Sequence, residues 1–190
     1  MTTIVFIGDS QTAVRSPVTQ AQTYAQIVGA ARGFGTIINA GVGGNTAADM
    51  LARFSTDVLS HSPDAISIMA GVNDNGGNNS VSVATFQSNM DAMVVAGLGE
   101  GAGVTILTPF FVRGGDWISR FQPYLDAMQT VAYNRSIPCV DVYRRLPDEY
   151  FYLNGATFDA LWQDYQHPSA NGHALIASLI QQPYYANACC

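Results

Sequence analysis

Short runs of β-branched and apolar residues alternate along the chain with longer stretches in which apolar residues recur at helical spacing. Such runs predict strands, and such stretches predict helices. Strands that alternate with helices assemble into a mainly parallel sheet covered by helices on both faces. We therefore predict an α/β fold, a three-layer α/β/α sandwich of about five strands, with strands expected at Thr3–Ile7, Thr36–Ala40, Ala65–Ala70, Val104–Thr108 and Cys139–Val142.

Length and composition predict one domain. The chain has 190 residues, 48% of them hydrophobic, and no repeat or linker divides residues 1–190. No run of about 18 apolar residues is present, so no membrane-spanning helix is expected. The first apolar run starts near the N-terminus, without the basic region and longer apolar stretch of a secretory signal, so we expect no signal in the chain as given. A signal removed beforehand is compatible with this sequence, so the sequence leaves the compartment open. It also leaves the oligomeric state open.

Charge and cysteine spacing argue against several partners. The formal net charge is −6, and all eight basic residues are arginines. Nucleic-acid binding depends on clustered positive charge, so nucleic acid is not an expected partner. No lysine is present for a Gly-x-x-x-x-Gly-Lys phosphate loop, and the Cys189-Cys190 pair lacks the spacing of a zinc site. We therefore predict no cofactor and no metal.

Glycines and polar residues follow three of the predicted strands. Ligands of open parallel sheets bind at the carboxyl ends of the strands, so these segments are expected to meet at one edge of the sheet. A serine after an aspartate in a turn is commonly a helix cap, so the serine in the first segment carries little functional weight alone. The segments are Gly8-Asp9-Ser10-Gln11, Gly41-Val42-Gly43-Gly44-Asn45 and Gly71-Val72-Asn73-Asp74.

A fourth segment, Asp164-Tyr165-Gln166-His167-Pro168, changes the interpretation of Ser10. A serine hydroxyl is a poor nucleophile until a base takes its proton, and the base works best when a carboxylate orients it. His167 is a candidate base and Asp164 a candidate orienting carboxylate. The sequence therefore indicates nucleophilic catalysis by Ser10.

Other titratable residues are interpreted as structural. Asp9 and Asp74 each adjoin a candidate site residue, and an aspartate at such a place commonly orders its turn. His173 is a second candidate base, but its place in the last predicted helix favours packing or capping.

The oxyanion of a tetrahedral intermediate needs hydrogen-bond donors. A residue without Cβ lets its N–H approach a ligand closely, and an asparagine amide donates hydrogen bonds. Asn73 is therefore one candidate, and Gly43 and Gly44 are two others, of which Gly44 is favoured because it lies nearer the expected helix start. The Gly-x-Ser-x-Gly elbow of α/β-hydrolases is absent, because position 12 is Thr12.

The four segments, in this order, resemble the SGNH (GDSL-type) hydrolase family, and the resemblance spans most of the chain. It implies one SGNH-hydrolase domain with a flavodoxin-like fold and a serine esterase that works through an acyl-enzyme. By this resemblance Ser10 is the nucleophile, and Asp164 and His167 complete the catalytic triad. The implied oxyanion hole consists of the Ser10 N–H, the Gly44 N–H and the Asn73 side chain.

Gln11 departs from the family pattern, which usually has leucine or a similar residue there, and this departure bears on local packing.

The family resemblance leaves the substrate open. Members of the family act on lipids, thioesters, simple acyl esters or acetylated sugars. We expect short-chain acyl esters first and O-acetylated glycans second, and a non-catalytic carbohydrate-binding or structural module on the same fold is the alternative. Candidates for an acyl groove are Phe110, Phe111, Trp117 and Ile118, and candidates for a carbohydrate contact are Asn75–Asn79, Trp162 and Tyr165.

Overall fold

The computed structural model describes residues 2–76, 81–110, 117–145 and 159–182, with the backbone alone at 117–119. Within this part of the chain, five parallel strands form one sheet in the order β2-β1-β3-β4-β5. The strands are β1 (Thr3–Gly8), β2 (Thr36–Gly41), β3 (Ala65–Met69), β4 (Gly103–Leu107) and β5 (Cys139–Val140).

Helices cover both faces of this sheet. They are α1 (Tyr24–Ala31), α2 (Ala47–Ala52), α3 (Phe54–Asp57), α4 (Val83–Gly99), α5 (Trp117–Arg135) and α6 (Ala170–Gln181), with 3-10 turns at Gln20–Gln22 and Leu59–His61. Helices α2, α4 and α5 pack on the face that carries Val5 and Ile7, and α1 and α6 pack on the face that carries Ile4 and Phe6. Successive side chains of a strand point to opposite faces, so β1 contributes to both halves of the core. The predicted three-layer α/β/α sandwich is confirmed.

The predicted strands match the observed ones closely, except that β5 is two residues shorter than expected. Asp141 leaves the strand because its carboxylate accepts hydrogen bonds from the Thr108 hydroxyl (3.1 Å) and the Arg144 N–H (3.0 Å). A side chain that binds nearby backbone in this way competes with the ladder of a sheet. The chain therefore turns immediately after Val140.

Strand order brings the segments of interest together. The chain runs from β1 outward to β2 and then returns to β3 on the other side of β1, so β1 lies between its two successors. In open parallel sheets, ligands bind where the strand order reverses in this way. The turns after β1, β2 and β3 therefore share one edge of the sheet.

Candidate active site

Ser10 lies in the tight turn that follows β1. The Asp9 carbonyl accepts hydrogen bonds from the N–H groups of Thr12 (3.1 Å) and Ala13 (3.0 Å). The Asp9 carboxylate accepts another from the Gln11 N–H (2.8 Å). These bonds close the turn and leave the half-buried Ser10 at the edge of the sheet.

The segment with Asp164 and His167 is a loop held at both of its ends. The Gln163 N–H donates to the His167 carbonyl (2.8 Å), and the Ser169 N–H donates to the Leu161 carbonyl (2.8 Å). Inside the loop, one Asp164 oxygen accepts from the N–H groups of Gln166 (3.0 Å) and His167 (2.9 Å). This turn folds the chain so that the His167 ring returns to the Asp164 carboxylate.

Ser10, His167 and Asp164 form a continuous hydrogen-bond chain. His167 Nε2 lies 2.9 Å from Ser10 Oγ, and His167 Nδ1 lies 2.8 Å and 2.9 Å from the two Asp164 oxygens. With a proton on Nδ1 directed at the carboxylate, Nε2 keeps a lone pair that can accept a hydrogen bond from the Ser10 hydroxyl. The structure thus joins a hydroxyl and an imidazole that lie 157 residues apart in the sequence.

Asp164 is ionised at neutral pH. Partial burial raises its pKa, but the hydrogen bonds from the Gln166 N–H, the His167 ring and the His167 N–H outweigh burial and hold the pKa at about 2. Arg15 adds an ion pair at 3.1 Å from Asp164, and its other nitrogen donates to Gln163 at 2.6 Å. The Arg15–Asp164 pair is exposed, so we expect it to contribute little free energy.

Three candidate oxyanion donors lie at the same edge. Among the described residues, no hydrogen-bond acceptor is found for the N–H of Ser10 or of Gly44. Gly44 has φ +80°, in the left-handed region that favours glycine. Gly43 lies beside Ser10, because a Cβ built on Gly43 would lie 3.8 Å from the Ser10 Cβ.

The Asn73 side chain is fixed by one of its two N–H groups. Asn73 Nδ2 donates to the Asn45 carbonyl at 2.9 Å, and a primary amide has a second hydrogen to donate. Asn45 is held in turn, because Arg53 Nε donates to its side-chain oxygen at 2.7 Å. Arg53 also donates to the Gly8 carbonyl at 3.1 Å, so one guanidinium joins the end of β1 to the glycine turn.

Asp9 and Asp74 lie buried behind these turns. Both Asp74 oxygens accept from the Ala47 N–H (3.0 and 3.1 Å), which ties the Asn73 turn to the start of α2. Burial raises the pKa of Asp74 to about 6 and that of Asp9 to about 7, the negative charge of Asp74 adding to the shift at Asp9. These carboxyls order their turns, as the sequence analysis expected.

His173 is a packing residue within α6. Its ring stacks on Tyr24 with a centroid separation of 5.9 Å, and its Nδ1 accepts from the Tyr24 N–H at 3.4 Å. Burial lowers its pKa to about 4, so it is neutral at physiological pH.

The structure describes only some of the residues that the sequence suggested for substrate contact. Phe110 is fully buried, and its ring lies 4.4 Å from that of Trp162, which is also buried, so neither forms an open wall. Tyr165 is 59% exposed beside the hydrogen-bond chain. Phe111, the side chains of Trp117 and Ile118, positions 77–79 and the Cys189-Cys190 pair lie outside the described residues.

Three side chains that hold the site were missed by the sequence analysis: Gln11, Arg15 and Arg53. The departure of Gln11 from the family pattern was a signal for the first. Arg15 and Arg53 carry no local signal, because their partners lie in other segments of the chain. Within the described part of the chain, no group of three metal-binding side chains is present, and no helix is long and apolar enough to span a bilayer.

A parallel α/β sheet with a serine, a histidine and an aspartate hydrogen-bonded in series at its carboxyl edge has the architecture of a serine hydrolase. Residues 6–175 match the GDSL-like Lipase/Acylhydrolase family. The chain belongs to that family, and it is a carboxylic ester hydrolase.

Known relatives agree with this class. An acetylxylan esterase from Geobacillus stearothermophilus is 28% identical over 152 residues, which cover 74% of this chain and 68% of the esterase. A lipase/acylhydrolase from Enterococcus faecalis has a TM-score of 0.78 at 28% identity, over 95% of this chain and 93% of its own. LAE5, an alpha/beta hydrolase from the metagenome of Lake Arreo in Spain, has a TM-score of 0.80 at 25% identity, over 94% and 93% of the two chains.

Proposed function

We propose that the chain hydrolyses short-chain carboxylic esters, with Ser10 as the nucleophile, His167 as the base and Asp164 as the residue that orients the base. The observation that carries this proposal is the hydrogen-bond chain from Ser10 Oγ through His167 (2.9 Å) to Asp164 (2.8 Å). Such a chain activates a hydroxyl that is otherwise a weak nucleophile.

In the acylation step, Ser10 Oγ attacks the ester carbonyl carbon while its proton passes to His167 Nε2. Negative charge develops on the carbonyl oxygen, which the Ser10 N–H, the Gly44 N–H and the free hydrogen of Asn73 Nδ2 stabilise. The tetrahedral intermediate collapses when the alcohol leaves with the proton from His167. The acyl group then remains on Ser10.

In the deacylation step, His167 takes a proton from water, and the resulting nucleophile attacks the acyl carbonyl. The same donors stabilise the second oxyanion. Collapse returns the proton to Ser10 and releases the carboxylic acid. His167 accepts and then donates the proton in both steps, and Asp164 stabilises its charged form each time.

O-acetylated glycans are a second candidate substrate class within this proposal. The related acetylxylan esterase supports an acetyl group as the acyl part. Tyr165 supports a sugar as the alcohol part, because it is 59% exposed and stands between Asp164 and His167 in sequence. An exposed aromatic ring of this kind offers a sugar both apolar area and a hydroxyl.

The test combines covalent labelling with an acyl-chain series. A fluorophosphonate probe is expected to label the wild type and not Ser10→Ala, while Ser178→Ala, a serine change on α6 away from the site, keeps labelling and turnover. p-Nitrophenyl acetate and butyrate are expected to be hydrolysed faster than the octanoate. Wild-type turnover by a folded Ser10→Ala protein, or absence of labelling in the wild type, would refute the proposal in favour of another nucleophile or a non-catalytic module.

The glycan candidate has its own variant. Tyr165→Ala is expected to lower kcat/KM for acetylated xylo-oligosaccharides while leaving kcat/KM for p-nitrophenyl acetate unchanged. Equal changes for both substrates would remove Tyr165 from sugar recognition.

A further inference from the structure

The side chain of Gln11, the residue after the proposed nucleophile, makes three hydrogen bonds to backbone groups at this edge of the sheet. It is fully buried, and its Nε2 donates to the Phe110 carbonyl (3.1 Å) and to the Gln166 carbonyl (2.9 Å). Its Oε1 accepts from the Phe110 N–H (2.8 Å). Both hydrogens of the amide and one lone pair of its oxygen are therefore used.

These bonds connect the turn of the nucleophile with the loop of the base. Gln11 adjoins Ser10 in the sequence, and Gln166 adjoins His167. The hydrogen bond from Gln11 Nε2 to the Gln166 carbonyl therefore joins the immediate neighbours of the two residues that are proposed to react. Phe110 reinforces the connection, because its ring packs on Trp162, which forms a β-bridge with Pro168 next to His167.

The chemistry of the position suits glutamine and few other residues. Leucine, which the family usually has there, fills the space without donating to either carbonyl. Glutamate has the right length, but the carboxylate oxygen in the place of Nε2 would face two carbonyl oxygens at hydrogen-bond distance. Asparagine is one methylene shorter. A donor pair and an acceptor at this reach are what the primary amide of glutamine supplies.

We propose that Gln11 is a positioning residue, which holds the Ser10 hydroxyl and the His167 ring at reacting distance by clamping the base loop to the nucleophile turn. The inference rests on the proposed function, since it concerns the same serine and histidine. Small displacements of reacting groups lower rates strongly while substrate binding is little affected. The expected consequence is specific to kcat.

The first test replaces Gln11 by leucine, an apolar residue that cannot donate a hydrogen bond to either carbonyl. Gln11→Leu is expected to lower kcat for p-nitrophenyl acetate by about 10- to 100-fold, with KM within about twofold of the wild type. Gln11→Met, which retains the length of the side chain without its donors, is expected to do the same. Thr23→Val is the matched control, because it removes a buried hydroxyl that caps α1 and is expected to lower the melting temperature while kcat stays unchanged.

A second test separates positioning from a general disturbance of the site. If Gln11 acts by placing His167 against Ser10, then Gln11→Leu lowers the residual rate of His167→Ala no further, because residues that act as a unit are not additive. If the change also disturbs the oxyanion donors, the residual rate falls again, and the proposal is wrong.

Two further outcomes also decide the inference. A folded Gln11→Leu protein whose kcat lies within about twofold of the wild type overturns it, and so does the failure of both Gln11 variants to fold, which would assign the side chain to fold stability. Neither outcome touches the proposed function, which fails only if Ser10→Ala keeps turnover or the wild type is not labelled.

Discussion

Two aspartates lie near the Ser10–His167 pair, and their surroundings shift their pKa values in opposite directions. Asp164, in the base loop, is partly exposed and accepts three kinds of hydrogen bond, so its pKa falls to about 2. Asp9, in the nucleophile turn, is fully buried and has one oxygen without a partner among the described residues. Burial raises its pKa to about 7, although the hydrogen bond from the Gln11 N–H acts in the opposite direction.

The difference agrees with the proposed roles, in which Asp164 takes part in the chemistry and Asp9 orders its turn. A group that must stabilise an imidazolium has to be charged at neutral pH, and the many donors around Asp164 ensure this. A carboxyl that only orders a turn can lie in the core at some cost in stability. Adjacency to the serine in the sequence is therefore a weaker guide to the orienting carboxylate than the hydrogen bond between Asp164 and the His167 ring.

The largest effect is expected from Asp164→Asn. Asparagine keeps an acceptor for the backbone N–H groups but cannot stabilise a charged His167, and loss of such a carboxylate lowers kcat by about 10⁴ in an established triad. We expect a loss of about 10³–10⁴ in kcat for ester hydrolysis, measured under saturating substrate. The matched change Asp9→Asn is expected to lower kcat far less, and equal losses would remove the distinction between the two aspartates.

Asn73→Ala is expected to come next. It removes the proposed oxyanion donor, whose orientation is set by the Asn45 carbonyl, and loss of one such donor costs about 10²–10³ in kcat. We expect KM to change little, because the donor acts mainly in the transition state. Parallel melting curves are the control: a large fall in melting temperature with kcat preserved would show that Asn73 only holds its loop.

The buried aspartate is expected to affect stability rather than rate. The pKa of Asp9 is about 7 in the folded state and 3.8 ordinarily, so its favourable contribution is complete below about pH 3.8 and is lost as the pH rises through about 7. Asp9→Asn is neutral at every pH. We therefore expect the melting temperature of the wild type to fall relative to that of the variant between about pH 4 and pH 8, by about 10 °C.

Asp74 provides the check on this prediction. Its pKa is also raised, to about 6, so some pH dependence is expected to remain in Asp9→Asn. A difference in melting temperature between the two proteins that does not vary with pH would contradict the raised pKa of Asp9.

The smallest effect is expected from Arg15→Gln. The Arg15–Asp164 ion pair is exposed, and such pairs contribute about 0.2–1 kcal/mol, so kcat/KM is expected to fall by no more than about fivefold at low salt. Added salt screens exposed charges, so the difference is expected to shrink at high ionic strength. Arg135→Gln, which breaks the similarly exposed pair with Asp91, is the control and leaves kcat/KM unchanged.

Local patterns in the sequence determined the architecture and the main candidates for the site. Apolar runs predicted the five strands, and the need of a serine nucleophile for a base and a carboxylate suggested Asp164 and His167, which lie in one short segment. The serine and the two oxyanion segments followed from their places after strands, since parallel strands end at a common edge. These signals depend on residues that are close together in the chain, so they can be read from a single sequence.

Only the tertiary structure decided which side chains hold these parts in register. Gln11 reaches Gln166, Arg15 reaches Asp164 and Arg53 reaches Gly8, each across a long separation in sequence. Burial likewise separated Asp9 from Asp164, two residues of the same type, and gave their pKa values opposite shifts. Burial and long-range hydrogen bonds depend on how distant segments of the chain pack against one another. The residue types next to each position in the sequence do not determine that packing.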